Sequence, residues 1–206
     1  DDDCRLFLGI LEEVVRRARG RVLAYCLMRN HFHILMGVGD VPLSLIMQRV
    51  LCRYSRYVNA IHKRRGHLFQ SRFKAKLCLR DAYLVTLLRY IHNNPVKAGL
   101  VQAPAQWPWS SHCQYLGPIR STLTAVDDGL HLLEDDPALA RRRYCELLAE
   151  EGDAFEPRYD PTPKAEKEQS PDCPPPSLDE LAAALERESG LDFIVRPRGG
   201  RSREVT

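Results

Sequence analysis

The chain has 206 residues, of which 44% are hydrophobic and 28% charged, as expected for a globular protein with one sizeable domain and a shorter appendage. Its longest apolar runs are shorter than the roughly 18 residues of a membrane span, and Asp1-Asp2-Asp3 is unlike the basic start of a signal peptide. The seven cysteines are scattered without C-x-x-C spacing, which disfavours a disulfide framework and a cysteine zinc site. We therefore expect a cytoplasmic protein without membrane attachment.

The formal net charge of +3 conceals a strong asymmetry along the chain. Residues 1–120 carry 19 Lys/Arg against 7 Asp/Glu, whereas residues 121–206 carry 11 against 20. Residues 49–80 contain ten basic residues and no acidic one. A solvated basic face usually has interspersed acids, so this segment favours a polyanionic partner such as nucleic acid.

The first elements in chain order are a helix and a hairpin. Residues 4–19 have apolar positions at helical spacing, and Gly20 stops the pattern. The apolar run 21–28 predicts a buried strand, Arg29-Asn30 a tight turn, and 31–38 a second strand.

Three further elements follow this hairpin. Helical spacing resumes over 41–64, and the alternation in 67–79 predicts another strand with cations on one face. Asp81 is a candidate N-cap for a helix over about 82–93, which we expect to end near Asn94 because the residue before Pro95 disfavours α geometry.

The C-terminal third has a different composition. A helix is predicted over 137–151, and residues 153–177 contain seven prolines and few apolar groups, as in a linker. The segment that follows opens with a Ser-x-x-Glu capping box and helical spacing, but it has too few apolar residues to form a core alone. We interpret 178–206 as the first part of a small helical module.

A pair of histidines is the first sign of chemistry. His31 and His33 flank Phe32 in a predicted strand, where alternation places both imidazoles on one face. Two adjacent imidazoles form half of a divalent-metal site, although H-x-H alone is more often structural.

A second pair lies on the helix predicted over 82–93. Tyr90 and Asn94 are four residues apart and share one helix face, which combines a nucleophile with a hard oxygen ligand. An ordinary half-buried aromatic is the alternative for Tyr90.

Four blocks in order resemble the signature segments of a known family. They are YCLMRNHFHILM (25–36), GHLFQSRFKAK (66–76), LLRYIHNNPVKAGLV (87–101) and WPWSSHCQYLG (107–117). The sequence is similar over about residues 4–150 to the REP-associated tyrosine transposases, a branch of the single-tyrosine HUH transposases.

The resemblance implies an α+β fold: a ferredoxin-like antiparallel sheet with helices on one face, of the HUH endonuclease type. It implies Tyr90 as nucleophile, His31, His33 and Asn94 as ligands of Mg²⁺ or Mn²⁺, and a 5′-phosphotyrosine intermediate. Family members usually open with a strand before the first helix, and this sequence shows none. In a ferredoxin-like order that strand would lie between the histidine strand and the strand predicted over 67–79.

The domain organisation follows from the same comparison. Residues 1–120 are expected to form the transposase domain and 121–152 a helical extension. The linker at 153–177 would then lead to 178–206, which is similar to the start of the DnaA DNA-binding module.

We expect the substrate to be single-stranded or hairpin DNA, resembling a repetitive extragenic palindrome, bound by a monomer or homodimer. The candidate DNA-binding residues are basic and lie in or near the acid-free stretch: Arg53, Arg56, Lys63, Arg64, Arg65, Arg72, Lys74 and Lys76. His92 and His112 either contact DNA or simply lie on the surface.

Two rival functions use the same residues differently. A domesticated protein could bind repeat DNA without catalysis, and a metal-dependent hydrolase could activate water while Tyr90 is structural. The joint presence of His31, His33, Tyr90 and Asn94 argues against the first. A covalent protein–DNA adduct would separate the transposase from both.

Overall fold

A computed structural model describes residues 1–69, 73–76, 78, 81–117 and 121–149, with the side chains of positions 81 and 82 excepted. The predicted linker at 153–177 and the predicted module at 178–206 lie outside the described residues, as does Arg72. None of the described helices is long and apolar enough to cross a membrane.

A two-stranded antiparallel hairpin lies at the centre of the fold. Strand β1 (Arg21–Leu27) pairs with β2 (Phe32–Gly37), and Cys26 is opposite His33. The amide of Met28 donates to the carbonyl of His31 at 2.8 Å, which closes the turn at 29–30. The predicted hairpin is therefore confirmed to within one residue at its ends.

Two helices cover one face of this hairpin. Helices α1 (Asp2–Arg17) and α2 (Leu43–Ile61) pack against each other and against Val22, Tyr25 and Met36. Both helices were predicted, because their apolar positions recur every three or four residues and form one buried stripe. The N-terminal layer thus follows directly from the sequence.

The other face of the hairpin is also covered by helices. Helix α3 (Asp81–Lys97) packs on Leu23, Ala24 and Cys26. The same layer contains α4 (His112–Leu116), α5 (Val126–His131) and α6 (Pro137–Ala149), with a short 3-10 turn at Pro104–Gln106. The expectation of helices on one face was therefore wrong. Six of the seven β1 residues are buried, so both faces of the strand must be covered.

The predicted strand at 67–79 is not found in its described residues, 67–69, 73–76 and 78. Phe73 and Ala75 pack against the α1/α2 cluster, while the Lys76 ammonium lies 5.0 Å from the centroid of the Tyr83 ring in α3. The described residues of this segment therefore contact both helical layers. A strand also needs a hydrogen-bonded neighbour, and the described residues place none on the outer edge of β2.

The end of α3 also differs from its prediction. The helix continues through Pro95 to Lys97 instead of ending near Asn94. A residue before proline disfavours α geometry, but burial of Ile91, Asn94 and Pro95 stabilises the helical conformation here. The last turn is closed by Leu100, whose amide donates to the carbonyl of Pro95 at 2.9 Å.

The described sheet has the order β1-β2 and no further strand. The outer edge of β1 is bridged instead by Ser110 and Thr124. The α+β class is confirmed, whereas the ferredoxin-like strand order stays a prediction.

Candidate active site

The histidines are positioned by the alternation of β2. Phe32, Ile34 and Met36 pack with α1 and α2, so the intervening residues face the layer of α3. His33 lies on this second face. The rings of His31 and His33 are 5.0 Å apart between centroids and nearly perpendicular, at 88°. His31 directly precedes β2, and the two imidazoles lie next to each other, as the spacing predicted.

The two imidazoles have different surroundings. His31 is exposed, and its Nδ1 lies 2.8 Å from the side-chain oxygen of Asn30. When Nδ1–H donates a hydrogen bond to this oxygen, the lone pair of the neutral ring is on Nε2. His33 is half-buried, and its Nε2 is buried without a hydrogen-bond partner among the described residues. Burial and then His31 lower the pKa of His33 to about 4, so this imidazole is neutral near pH 7.

Tyr90 meets this pair from the opposite side. Its ring centroid lies 5.3 Å from that of His33, with the planes at 82°. Asn94 follows one turn later in α3 and is 9% exposed. The ammonium of Lys97, one further turn along, lies 5.3 Å from the Tyr90 ring centroid. Two elements that are distant in sequence thus bring Tyr90 into contact with His33, which in turn contacts His31.

The donor set is suited to a divalent cation. A buried, unpartnered ring nitrogen on a neutral imidazole is what a metal ligand requires, because only the lone pair can coordinate. In the described part of the chain, no three His, Cys, Asp or Glu side chains form a metal-binding group. A third ligand from these residues would therefore be an amide or hydroxyl oxygen, and Asn94 carries such an amide close to Tyr90 in sequence.

The candidate DNA-binding residues do not form one patch beside Tyr90. Arg53 lies in α2, on the other face of the hairpin, and donates to Glu13 at 2.7 Å. The exposed Arg56 also belongs to α2, and Lys63, Arg64 and Arg65 are exposed beyond its end. Lys74 and Lys76 lie on the segment that contacts both helical layers. A DNA strand that contacted all of these described residues would have to pass around the edge of the hairpin.

His92 and His112 are buried, so the alternatives of a DNA contact or a surface position are both wrong. The hydroxyl of Tyr144 lies 2.8 Å from Nδ1 of His92 and 2.6 Å from Nδ1 of His112. Nε2 of His92 is 2.7 Å from the Ser111 hydroxyl. Burial lowers the pKa of both histidines, to about 4 for His112.

This network braces the helix that carries Tyr90. In one satisfying proton order His112 donates to Tyr144, Tyr144 to His92, and His92 to Ser111, whose hydroxyl donates to the carbonyl of Tyr25. His92 follows Tyr90 by two residues, or about 200° around α3, so it anchors the opposite face of the helix. The sequence contained no signal for this pairing, because Tyr144 lies 52 residues from His92.

Tyr144→Phe is expected to reduce the free energy of unfolding by about 1–3 kcal/mol, because it leaves buried imidazole nitrogens without their partner. Urea denaturation at pH 7 measures this loss. The matched control is Tyr57→Phe, since Tyr57 is 53% exposed, and its effect should stay within about 0.5 kcal/mol. Equal stability of the two variants would contradict the bracing role of the network.

Comparison with known proteins finds similarities in the N-terminal part of the chain. Residues 3–94 match the model of a family described as "Transposase IS200 like". A curated Haemophilus influenzae protein, provisionally named a REP-associated tyrosine transposase, is 31% identical over 100 residues, covering 43% of this chain and 57% of that relative. The chain thus matches little more than half the length of that relative. No solved structure gives a significant match.

Both matches fall on the kind of protein that the four sequence blocks resembled, and the resemblance is confirmed. The likeness of residues 178–206 to a DnaA module stays a prediction. The region matched by the family model contains the histidine pair, Tyr90 and Asn94. Residues 3–94, a little under half of the chain, are therefore similar to the IS200-like transposase family.

Proposed function

We propose that this chain is a transposase that nicks and rejoins single-stranded or hairpin DNA through a covalent bond to Tyr90. His31, His33 and Asn94 hold a Mg²⁺ or Mn²⁺ ion beside that tyrosine. Two imidazoles make Mn²⁺ the better match, since Mg²⁺ prefers ligand sets made of oxygen.

The observation that carries this proposal is the contact between His33 and Tyr90. Their ring centroids are 5.3 Å apart, and Nε2 of His33 is buried with no hydrogen-bond partner in the described structure. A structural histidine normally satisfies both ring nitrogens, as His92 does with Ser111 and Tyr144. An unsatisfied nitrogen beside a candidate nucleophile instead supports a ligand-binding role.

The chemistry follows from the side chains at the site. The oxygen of Tyr90 attacks the phosphorus, the P–O3′ bond breaks, and the phenolic proton ends on the departing 3′ oxygen. A bound divalent cation would supply Lewis-acid polarisation of the phosphate. His33, neutral at pH 7, would be available as a ligand without first losing a proton. Because the phosphotyrosine bond conserves the energy of the phosphodiester, a 3′-OH can reverse the step without ATP.

The substrate is proposed from the charge of the chain and from the name of the relative. Between Glu13 and Asp127 the only acidic residues are Asp40 and Asp81, so the central part of the chain has a strongly positive field. The relative is named as REP-associated, which supports hairpins of repetitive palindromes as the first DNA to test.

End-labelled oligonucleotides test the reaction and its polarity together. The full chain is mixed with Mn²⁺ and hairpins copied from inverted repeats in the DNA flanking its own gene, then denatured and run on a gel. A 5′-phosphotyrosine bond retains the 3′ part of the DNA, so a 3′ label should move with the protein and a 5′ label should not. A label on free fragments alone would indicate hydrolysis, and intact DNA would indicate binding without catalysis.

Binding to single-stranded DNA is expected to weaken steeply with salt, and the double variant Lys74→Ala, Lys76→Ala should reduce the slope. Removing one lysine–phosphate interaction lowers the log–log slope by about 0.7, so removing two should lower it by about 1.4. Fluorescence anisotropy over a salt series measures the slope. The matched control is Arg142→Ala, Arg143→Ala, which removes two exposed cations of α6. A slope unchanged in the first variant would show that the DNA lies elsewhere.

A further inference from the structure

Lys97 shares a helix face with Tyr90 and Asn94 because α3 continues through Pro95. Positions 90, 94 and 97 differ by four and three residues, so their side chains lie within about 60° around the helix axis. The Lys97 ammonium is 5.3 Å from the Tyr90 ring centroid, and the His33 ring is at the same distance from that ring. Tyr90 therefore has an imidazole and an ammonium group as neighbours.

No carboxylate neutralises Lys97 in the described part of the chain. The sequence from 82 to 126 contains no Asp or Glu, and no described acidic side chain lies within ion-pair distance of this ammonium. A cation at the end of a helix is favoured by the helix dipole alone. The ammonium also lies at cation–π distance from the Tyr90 ring, so its positive charge is held beside the phenol.

We propose that Lys97 binds a non-bridging oxygen of the phosphate that Tyr90 attacks, a role that rests on the proposed function. The ammonium offsets the charge that repels the incoming phenol oxygen and holds the phosphate beside the ring. A lysine suits this position because its point charge on a flexible stem can follow the phosphate as the P–O3′ bond breaks.

The activity test compares Lys97→Gln with Lys97→Arg in the full chain. Removing one charged interaction with the reacting phosphate should slow adduct formation about 10- to 100-fold in Lys97→Gln, while Lys97→Arg should retain most of the rate. Arg142→Gln in α6 is the matched control and should react like the unmodified chain. An unchanged rate in Lys97→Gln would overturn the proposal.

A second measurement depends on affinity alone. Lys97→Gln is introduced into the Tyr90→Phe variant, which keeps the ring but cannot cleave. The affinity of both proteins is then measured for a series of single-stranded oligonucleotides, each with one uncharged methylphosphonate at a different position. Lys97→Gln should weaken binding to ordinary DNA, and this loss should disappear at one position only, the phosphate that the unmodified chain cleaves. An equal loss at every position would show a structural or non-specific role, and coupling at a different phosphate would also overturn the proposal.

The two experiments separate this inference from the proposed function. If the unmodified chain forms no covalent adduct, the proposed function fails, and with it the role of Lys97 at a reacting phosphate. If the adduct forms at the normal rate in Lys97→Gln, only the inference fails.

Discussion

His33→Ala is expected to lower the rate of DNA cleavage by more than about 100-fold and to leave DNA affinity nearly unchanged. The substitution removes the imidazole whose ring centroid lies 5.3 Å from that of Tyr90, together with the buried Nε2 that has no partner in the described residues. The cationic surface is untouched, so the Kd for single-stranded DNA should stay within about threefold, less than 1 kcal/mol.

The same variant can be tested by measuring metal binding directly, without DNA. Calorimetric titration with Mn²⁺ should show a site in the unmodified chain that is lost in His33→Ala. His131→Ala is the matched control, because this histidine is exposed and paired only with Asp135. If His33→Ala lost cleavage, DNA binding and thermal stability together, the histidine would be structural and the metal site would lie elsewhere.

Tyr90→Phe is expected to abolish both cleavage and the covalent adduct. The change removes one oxygen and keeps the ring, so the contacts with His33 and Lys97 should survive. DNA affinity and metal binding should therefore remain near those of the unmodified chain. A hydrolase that activates water would keep most of its cleavage in this variant, and a binding protein would have none to lose.

The choice of tyrosine is tested by the same variant. Tyr83 lies two turns earlier in α3, about 10 Å along the helix, and Tyr54 belongs to α2 on the other face of the hairpin. A Tyr90→Phe variant that still formed an adduct would keep the reaction class and assign the nucleophile to another phenol.

The sequence predicted the elements that have strong local patterns. The helices α1 and α2 have regular apolar spacing, and the hairpin around positions 29–30 has a short turn between two apolar runs. The pairing of His31 with His33 needed only the two-residue repeat of a strand. Such features depend on neighbours within a few residues, which a single sequence contains.

Features that depend on distant packing were missed. The α geometry through Pro95 is stabilised by burial of the helix, which local preference cannot reveal, and it alone brings Lys97 onto the face of Tyr90. The segment 67–79 alternates like a strand, yet the part that is described has no strand to pair with. His92 and His112 lie in segments with several polar residues, so their burial was not expected. Tertiary contacts bury both histidines against Tyr144.

The most direct test of the central claim is the mass of the peptide that carries the DNA. The full chain is reacted with hairpin DNA and Mn²⁺, the adduct is digested with nuclease and trypsin, and its peptides are sequenced by mass spectrometry. Cleavage after Arg89 and Lys97 gives the peptide 90–97, whose only tyrosine is Tyr90. We expect a nucleotide on this peptide, joined through its 5′ phosphate. A nucleotide on one of the peptides that contain Tyr83, Tyr54 or Tyr57, with peptide 90–97 unmodified, would contradict the assignment of Tyr90 as the nucleophile.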